Sequence, residues 1–259
     1  MARIVTALDR RATIIVLAAA LFIGAFGASL RAEPLASACT KTYAPQTLDN
    51  TQPLNVGQLK LQIYHYACSG AYDSELDKVL SDARSYLEKR AGEVSKPALV
   101  LDIDETSLSN LPQELAVDFG YIPNIPNPRC DALPKGPCGF NDWVLSGLAK
   151  AIPGTLDLFR TAKARNVAVF FITGRRVDDE LRSATIKNLK AAGYDGWAGL
   201  VLRPPNDNKT IVGYKSGERA KIAAQGYTII ANIGDQQSDL DGSYAERAYK
   251  LPNPFYYLP

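Results

Sequence analysis

Four short apolar runs, each closed by a polar segment, constrain this chain more than any other feature. They are Ala98–Asp102, Val167–Ile172, Leu200–Leu202 and Tyr227–Ile233. A continuous apolar run, without alternation, reads as a strand buried on both faces. Helical patterns lie around them. Leu76, Leu80, Ala83 and Leu87 recur at steps of four, three and four, which predicts a helix from Asp73 to Ala91 with Asp73 as N-cap and Gly92 as its stop. Val177, Leu181, Thr185 and Leu189 line one face of a helix predicted over 177–192. Asp178, Asp179 and Glu180 open it, Lys187 and Lys190 lie near its end, and Gly193 stops it. Ser216–Gln225 reads as a short helix closed by Gly226. This alternation predicts an α/β fold with a doubly wound parallel sheet. In such sheets ligands bind at the carboxyl ends of the strands.

The rest of the chain reads as decoration. Residues 33–54 are polar and contain proline, which predicts an extended lead. Residues 112–140 contain six prolines and read as loop or a small insertion. With 259 residues, 46% of them hydrophobic, the chain can build a full core without metal or disulfide staples. Its 29 basic and 27 acidic residues offer no basic footprint, so a nucleic-acid polymer is not an expected partner. The single histidine, His65, argues against histidine-rich metal sites and histidine-dependent triads.

Residues 1–32 read as a secretory signal. Arg3, Arg10 and Arg11 precede a charge-free run of 17 residues, Ala12–Ala28, and small residues follow, with cleavage expected after Ala32. An uncleaved membrane anchor is the competing reading, because the run is at the lower limit for a span. Removing this segment takes away four Arg and one Asp, leaving 25 basic and 26 acidic residues. Cys39, Cys68, Cys130 and Cys138 all lie beyond it, and an even count in an exported chain suggests disulfides. Cys130 and Cys138 enclose a short Pro/Gly-rich loop and can pair easily, in which case Cys39 pairs with Cys68. Free buried thiols are the alternative. No C-x-x-C spacing supports zinc.

Four segments at or after the strand ends carry candidate chemistry. Asp102 and Asp104 are two residues apart, which lets both carboxylates face one side. Adjacent carboxylates repel, and a hard cation such as Mg²⁺ relieves this. Thr173-Gly174, after the second strand, offers a hydroxyl and free N–H groups for an anion. Lys215 can supply a point charge to a phosphate oxygen. Gly234-Asp235 and Asp239 follow the last strand, and Asp235 can complete a cation site with Asp102 and Asp104. Each segment alone is compatible with ordinary loop or cap chemistry. In this order they form a set that folding alone does not require.

The set resembles the haloacid dehalogenase (HAD) superfamily. Asp102-Ile-Asp-Glu-Thr106, Phe171-Ile-Thr-Gly-Arg175, Tyr214-Lys-Ser216 and Gly234-Asp-Gln-Gln-Ser-Asp239 are similar in order to the motifs of its secreted acid phosphatases of the subfamily III type, a group that includes bacterial exported enzymes and plant vegetative storage proteins. The resemblance runs from about Leu61 to Lys250. It implies a HAD-like Rossmannoid core over 33–259, an N-terminal helical region and a small cap insertion at about 107–150. It further implies Asp102 as nucleophile and Asp104 as acid/base. Thr173, Gly174 and Lys215 would bind substrate phosphate. Mg²⁺ would be held by Asp102, Asp104 (through its backbone carbonyl) and Asp235, with Asp239 in support. The implied activity is that of an exported, periplasmic or secreted phosphomonoesterase. It would act on a small phosphate monoester and have no stable membrane association after signal cleavage. A non-catalytic storage or phosphate-ligand-binding protein on the same fold is the alternative. The cap aromatics Phe119, Tyr121, Phe140 and Trp143 are expected either to meet the leaving group or simply to pack.

Overall fold

The structure, a computed structural model, describes residues 33–45, 47–48, 53–120 and 139–258. The signal-like segment, Tyr121, Cys130 and Cys138 lie outside the described residues. Five parallel strands form the central sheet: β1 (Pro97–Leu101), β4 (Ala168–Arg176), β5 (Gly199–Arg203), β6 (Thr228–Gly234) and β7 (Ala245–Lys250). Their spatial order is β5-β4-β1-β6-β7. The chain builds outward from β1 to β4 and β5, then crosses back to β6 on β1's other side. That reversal places β1 at the centre, where open α/β sheets bind ligands.

The apolar runs behave as double-sided strands. Leu99, Leu101, Val169, Phe171, Ala231 and Ile233 face one core; Ala98, Val100, Phe170, Ile172 and Ile229 face the other. Period-two alternation splits each run between the two faces, so both need a helical cover. On the first side lie α1 (Val56–Cys68), α2 (Ala71–Arg90) and α5 (Pro153–Ala164). Leu76, Leu80, Ala83 and Leu87 of α2 are buried there with Leu156, Leu158 and Phe159 of α5. On the second side α7 (Ile211–Ala224) buries Tyr214 and Ile222. α6 (Asp179–Ala191) begins on Asp178, whose carboxylate accepts from the Glu180 and Leu181 N–H groups, and Gly193 beyond it has φ +98.

Several sequence expectations change. Asp73 does not cap α2: its carboxylate instead accepts from the N–H groups of Leu35 (2.9 Å) and Ala36 (3.1 Å), in a short 3₁₀ turn at Leu35–Ala38 within the expected extended lead. Gly70, with φ 87, precedes the helix, and Ala91 rather than Gly92 caps its end. Cys39 pairs with Cys68 at a Cα–Cα distance of 5.6 Å, tying that lead to the end of α1. His65, on α1, places Nδ1 2.6 Å from the Tyr43 carbonyl oxygen. The segment after β1 is partly regular: it forms β2 (Leu108–Ser109) and α3 (Leu111–Ala116), and α4 (Phe140–Ser146) and β3 (Lys150–Ala151) lead back to the core. β2 and β3 pair antiparallel, Leu108 opposite Ala151, so this excursion leaves and rejoins the core at one place. Among the described residues no helix is long and apolar enough to cross a membrane.

Candidate active site

β1 ends at Leu101, and the Asp102 N–H still bonds the Ile233 carbonyl of β6 at 3.0 Å. The chain then turns sharply. The N–H groups of Ser107 and Leu108 both donate to the Ile103 carbonyl at 2.8 Å, and Ser107 Oγ donates to the Asp102 carbonyl at 2.6 Å. The turn puts Glu105 at φ 48, a costly region for a side chain with a Cβ. Its fully buried carboxyl is held by the Asn110 N–H and by the Tyr72 hydroxyl at 3.2 Å. Regular strand structure therefore stops before Asp104, and the two aspartates, though near enough to feel each other's charge, find different partners.

Asp102 joins a cluster. Ligand oxygens of Asp102, Asp235 and Asp239 lie within 4.8 Å of one another, and all three residues are buried. Lys215 stands among them, with Nζ 2.6 Å from Asp102 Oδ1 and bonded to Asp239 Oδ1. The lysine reaches them from inside a helix, not from a loop. α7 starts at Ile211, capped by the Thr210 hydroxyl on the Gly213 N–H, five residues before the helix start expected from sequence. Asp235 Oδ1 accepts from Thr106 Oγ1 at 3.1 Å; its Oδ2 accepts amide protons from Gln236 and Asn253, each at 2.7 Å. Asp239 Oδ2 accepts from the Gln236 N–H at 2.9 Å. Gly234 permits this close packing, since a Cβ there would lie 2.4 Å from that of Asp239.

The electrostatics follow from burial. Burial pushes the Asp102 carboxyl well above its ordinary range; Lys215 opposes this, and Asp239, Asp235 and Asp104 reinforce it. Burial raises Asp235 to about 6, again with Asp239 adding to the effect. For Lys215 burial acts downward, but the charges of Asp102 and Asp239 outweigh it and hold the ammonium above its usual value. Three buried carboxyl groups crowd around a single ammonium, and a cation bound there would relieve their repulsion. The donors are all oxygens, so the set fits a hard divalent cation.

Asp104 is held differently. Arg175 grips it with two bonds, Nη2 to Oδ1 at 2.7 Å and Nε to Oδ2 at 3.0 Å, and Asn110 Nδ2 adds a third at 3.0 Å. Trp143 of α4 orients that amide, its indole N–H donating to Asn110 Oδ1 at 2.8 Å. Arg175 stands in β4 directly after Thr173 and Gly174. The register with β5 shifts between Thr173 and Arg176, so the Thr-Gly pair occupies an irregular strand rather than a helix start. The Thr173 hydroxyl accepts from the Arg175 N–H at 3.1 Å, and the Thr173 carbonyl accepts from the Tyr214 hydroxyl at 3.2 Å. Glu114 of α3 is raised to about 7 by burial and then by Asp104. Tyr256 lies near the same charges: burial, then Asp235, Glu105, Asp104 and Asp102, push its phenol well above its ordinary value. Of the aromatics expected in a cap, Trp143 is buried on Asn110, Phe119 stacks on Phe255, and Phe140 lies 5.8 Å from the Arg175 guanidinium.

The structure thus brings Asp102, Lys215, Asp235 and Asp239 into contact, and places Asp104 beside them with its own cation. Sequence reasoning missed Arg175, Asn110, Gln236 and Asn253. Arg175 was the most accessible of these, because it directly follows the Thr-Gly pair. Asn253 carried no signal, since it lies 14 residues past Asp239 in a segment without periodicity.

A doubly wound sheet with clustered carboxylates and a buried lysine at the carboxyl end of its central strand defines an α/β enzyme of the HAD type. A model of the HAD superfamily, subfamily IIIB (acid phosphatase), matches residues 27–259, and the chain belongs to that family of phosphoric monoester hydrolases. It is 34% identical over 199 residues to acid phosphatase 1 of Solanum lycopersicum, covering 76% of this chain and 73% of the relative. It is 35% identical over 187 residues to the stem 28 kDa glycoprotein of Glycine max, covering 70% and 68%. Vegetative storage protein 1 of Arabidopsis thaliana is 33% identical over 161 residues, 62% of this chain and 55% of that protein. The class C acid phosphatase from Bacillus anthracis shares the fold, with a TM-score of 0.59 at 23% identity over 77% of this chain and 84% of that one.

Proposed function

We propose that this chain is an exported, Mg²⁺-dependent phosphomonoesterase that works through an aspartyl-phosphate. The contact of Lys215 with Asp102 inside a buried carboxylate cluster carries the reading. Asp102 attacks phosphorus in line, the bond to the leaving alcohol breaks, and Asp104 gives that oxygen its proton. Asp104 then takes a proton from water, whose oxygen displaces Asp102 and releases phosphate. Lys215, the Thr173 hydroxyl and the Gly174 N–H hold the phosphoryl oxygens. Asp239 keeps Lys215 directed at the nucleophile, and Arg175 with Asn110 keeps Asp104 directed at the leaving group. Asp102, Asp235 and the Asp104 carbonyl would hold Mg²⁺, which when bound offsets charge between nucleophile and phosphate. Positioning and electrostatics are the main terms available for phosphoryl transfer.

Export is supported by the signal-like residues 1–32 and by the Cys39–Cys68 disulfide, a bond suited to oxidising compartments. The alternative, a storage or phosphate-ligand-binding protein, draws support from the identity with a vegetative storage protein. Hydrolysis of p-nitrophenyl phosphate decides between them. Turnover that EDTA abolishes and Mg²⁺ restores is the expected result; a chain without metal-dependent turnover is not the proposed enzyme.

A further inference from the structure

The segment Leu251–Leu258, which follows β7, lies along Asp235 and the short helix α8 (Gln237–Leu240) that carries Asp239. The Leu251 N–H bonds the Gly234 carbonyl at 2.9 Å, and Lys250 Nζ bonds the carbonyl of Asp235. The Leu258 N–H reaches Gln236 Oε1 at 3.1 Å, and Ser238 Oγ reaches the Leu258 carbonyl at 3.3 Å. Phe255 anchors the middle of the segment. Its buried ring stacks on Phe119 at 5.6 Å and meets Tyr72 edge-on at 5.0 Å. Within this frame Asn253 has both ends assigned. Its Oδ1 accepts from the Phe255 N–H at 2.8 Å, so its amide nitrogen faces away from its own backbone and donates to Asp235 Oδ2 at 2.7 Å.

We infer that Asn253 is a positioning residue for the cation site, acting through Asp235. The inference rests on the Mg²⁺-dependent reading above. A carboxylate can rotate about its last bond, and a cation needs one oxygen at a fixed place. Asn253 and Gln236 both bond Oδ2, which sets the carboxylate plane from two elements far apart in sequence. Oδ1, bonded by the Thr106 hydroxyl alone among the described residues, keeps lone-pair capacity for a cation. Groups that orient a metal ligand commonly change metal affinity about 10- to 100-fold.

The test measures Mg²⁺ binding by calorimetry and by the Mg²⁺-dependent rise in Tm, on the full chain. Asn253→Ala is expected to weaken Mg²⁺ binding about 10-fold or more and to raise the Mg²⁺ concentration for half-maximal hydrolysis by the same factor. At saturating Mg²⁺ its kcat should return close to the wild-type value. Asn253→Ser is a second variant, whose hydroxyl can still accept from the Phe255 N–H but does not reach Asp235. Tyr257→Ser, on an exposed side chain of the same segment, should change neither readout. A lowered Tm with an unchanged Mg²⁺ constant in the Asn253 variants overturns the inference and leaves Asn253 a structural residue. Because calorimetry does not need turnover, a wild-type chain that binds Mg²⁺ but does not hydrolyse overturns only the phosphatase reading. A wild-type chain that binds no Mg²⁺ overturns both.

Discussion

Asp102 and Asp104 lie two residues apart yet occupy unlike surroundings. Asp102 is buried, faces Asp235 and Asp239, and is paired by the ammonium of Lys215 from α7. Asp104 is partly exposed and gripped by the planar fork of Arg175 from β4. A lysine presents a compact point charge that can pass from carboxylate to phosphate. An arginine fork fixes a carboxylate in one plane. The difference teaches that one turn, strained at Glu105, gives two chemically identical groups different surroundings.

Substitutions can break that contrast. Asp102→Asn removes the proposed nucleophile and should lower kcat by on the order of 10⁴-fold or more, with the fold kept, as steady-state hydrolysis and circular dichroism will show. Asp104→Asn leaves the proposed nucleophile and removes only the proposed proton transfer, so a smaller loss of about 10²- to 10⁴-fold is expected. Substrates with a very acidic leaving group should suffer least, since they need no proton. Arg175→Lys keeps the charge but loses the fork, and should cost up to about 10²-fold in kcat through misplacement of Asp104. If it costs as much as Asp104→Asn, the arginine does more than orient.

Two smaller effects concern stability. Asp235 is raised to about 6 and Glu114 to about 7, from ordinary values of 3.8 and 4.5. The folded chain then binds more protons than the unfolded chain through that range. In EDTA the Tm should therefore fall as pH rises from about 4 to about 7, and saturating Mg²⁺ should remove the Asp235 part of the fall. The lowered surface carboxylates, Asp118 and Glu246, act at lower pH and with opposite sign. Replacing Cys39 and Cys68 together by Ser opens a link across 29 residues that includes neither aspartate. It should lower unfolding stability by about 3–4 kcal/mol in denaturant melts while leaving kcat at the assay temperature nearly unchanged.

Much of the sheet was legible because a strand buried on both faces leaves an uninterrupted apolar run. β1, β4, β5 and β6 all appear within a few residues of the expected places. β7 was not legible. Ala245–Lys250 is an edge strand with mostly exposed side chains, and its sequence AERAYK has no apolar run to betray it. The start of α7 was missed for a related reason: Thr210 caps it, but the Gly213 and Ser216 nearby resemble loop chemistry. Asp73 has the right residue type for an N-cap, but the helix already starts at Ala71, and from inside the first turn its carboxylate accepts two N–H groups of the folded lead.

By itself, then, the sequence determined which segments must be buried and which acidic, basic and hydroxyl groups stand at the ends of those segments, because burial and charge are properties of residue type and local spacing. Only the tertiary structure decided the partners. Lys215 meets Asp102 across 113 positions, Arg175 meets Asp104 across 71, and Asn253 meets Asp235 from beyond the last strand. Hydrogen bonds and ion pairs form between atoms close in space, and no local pattern records which distant carboxylate a given cation or amide will find.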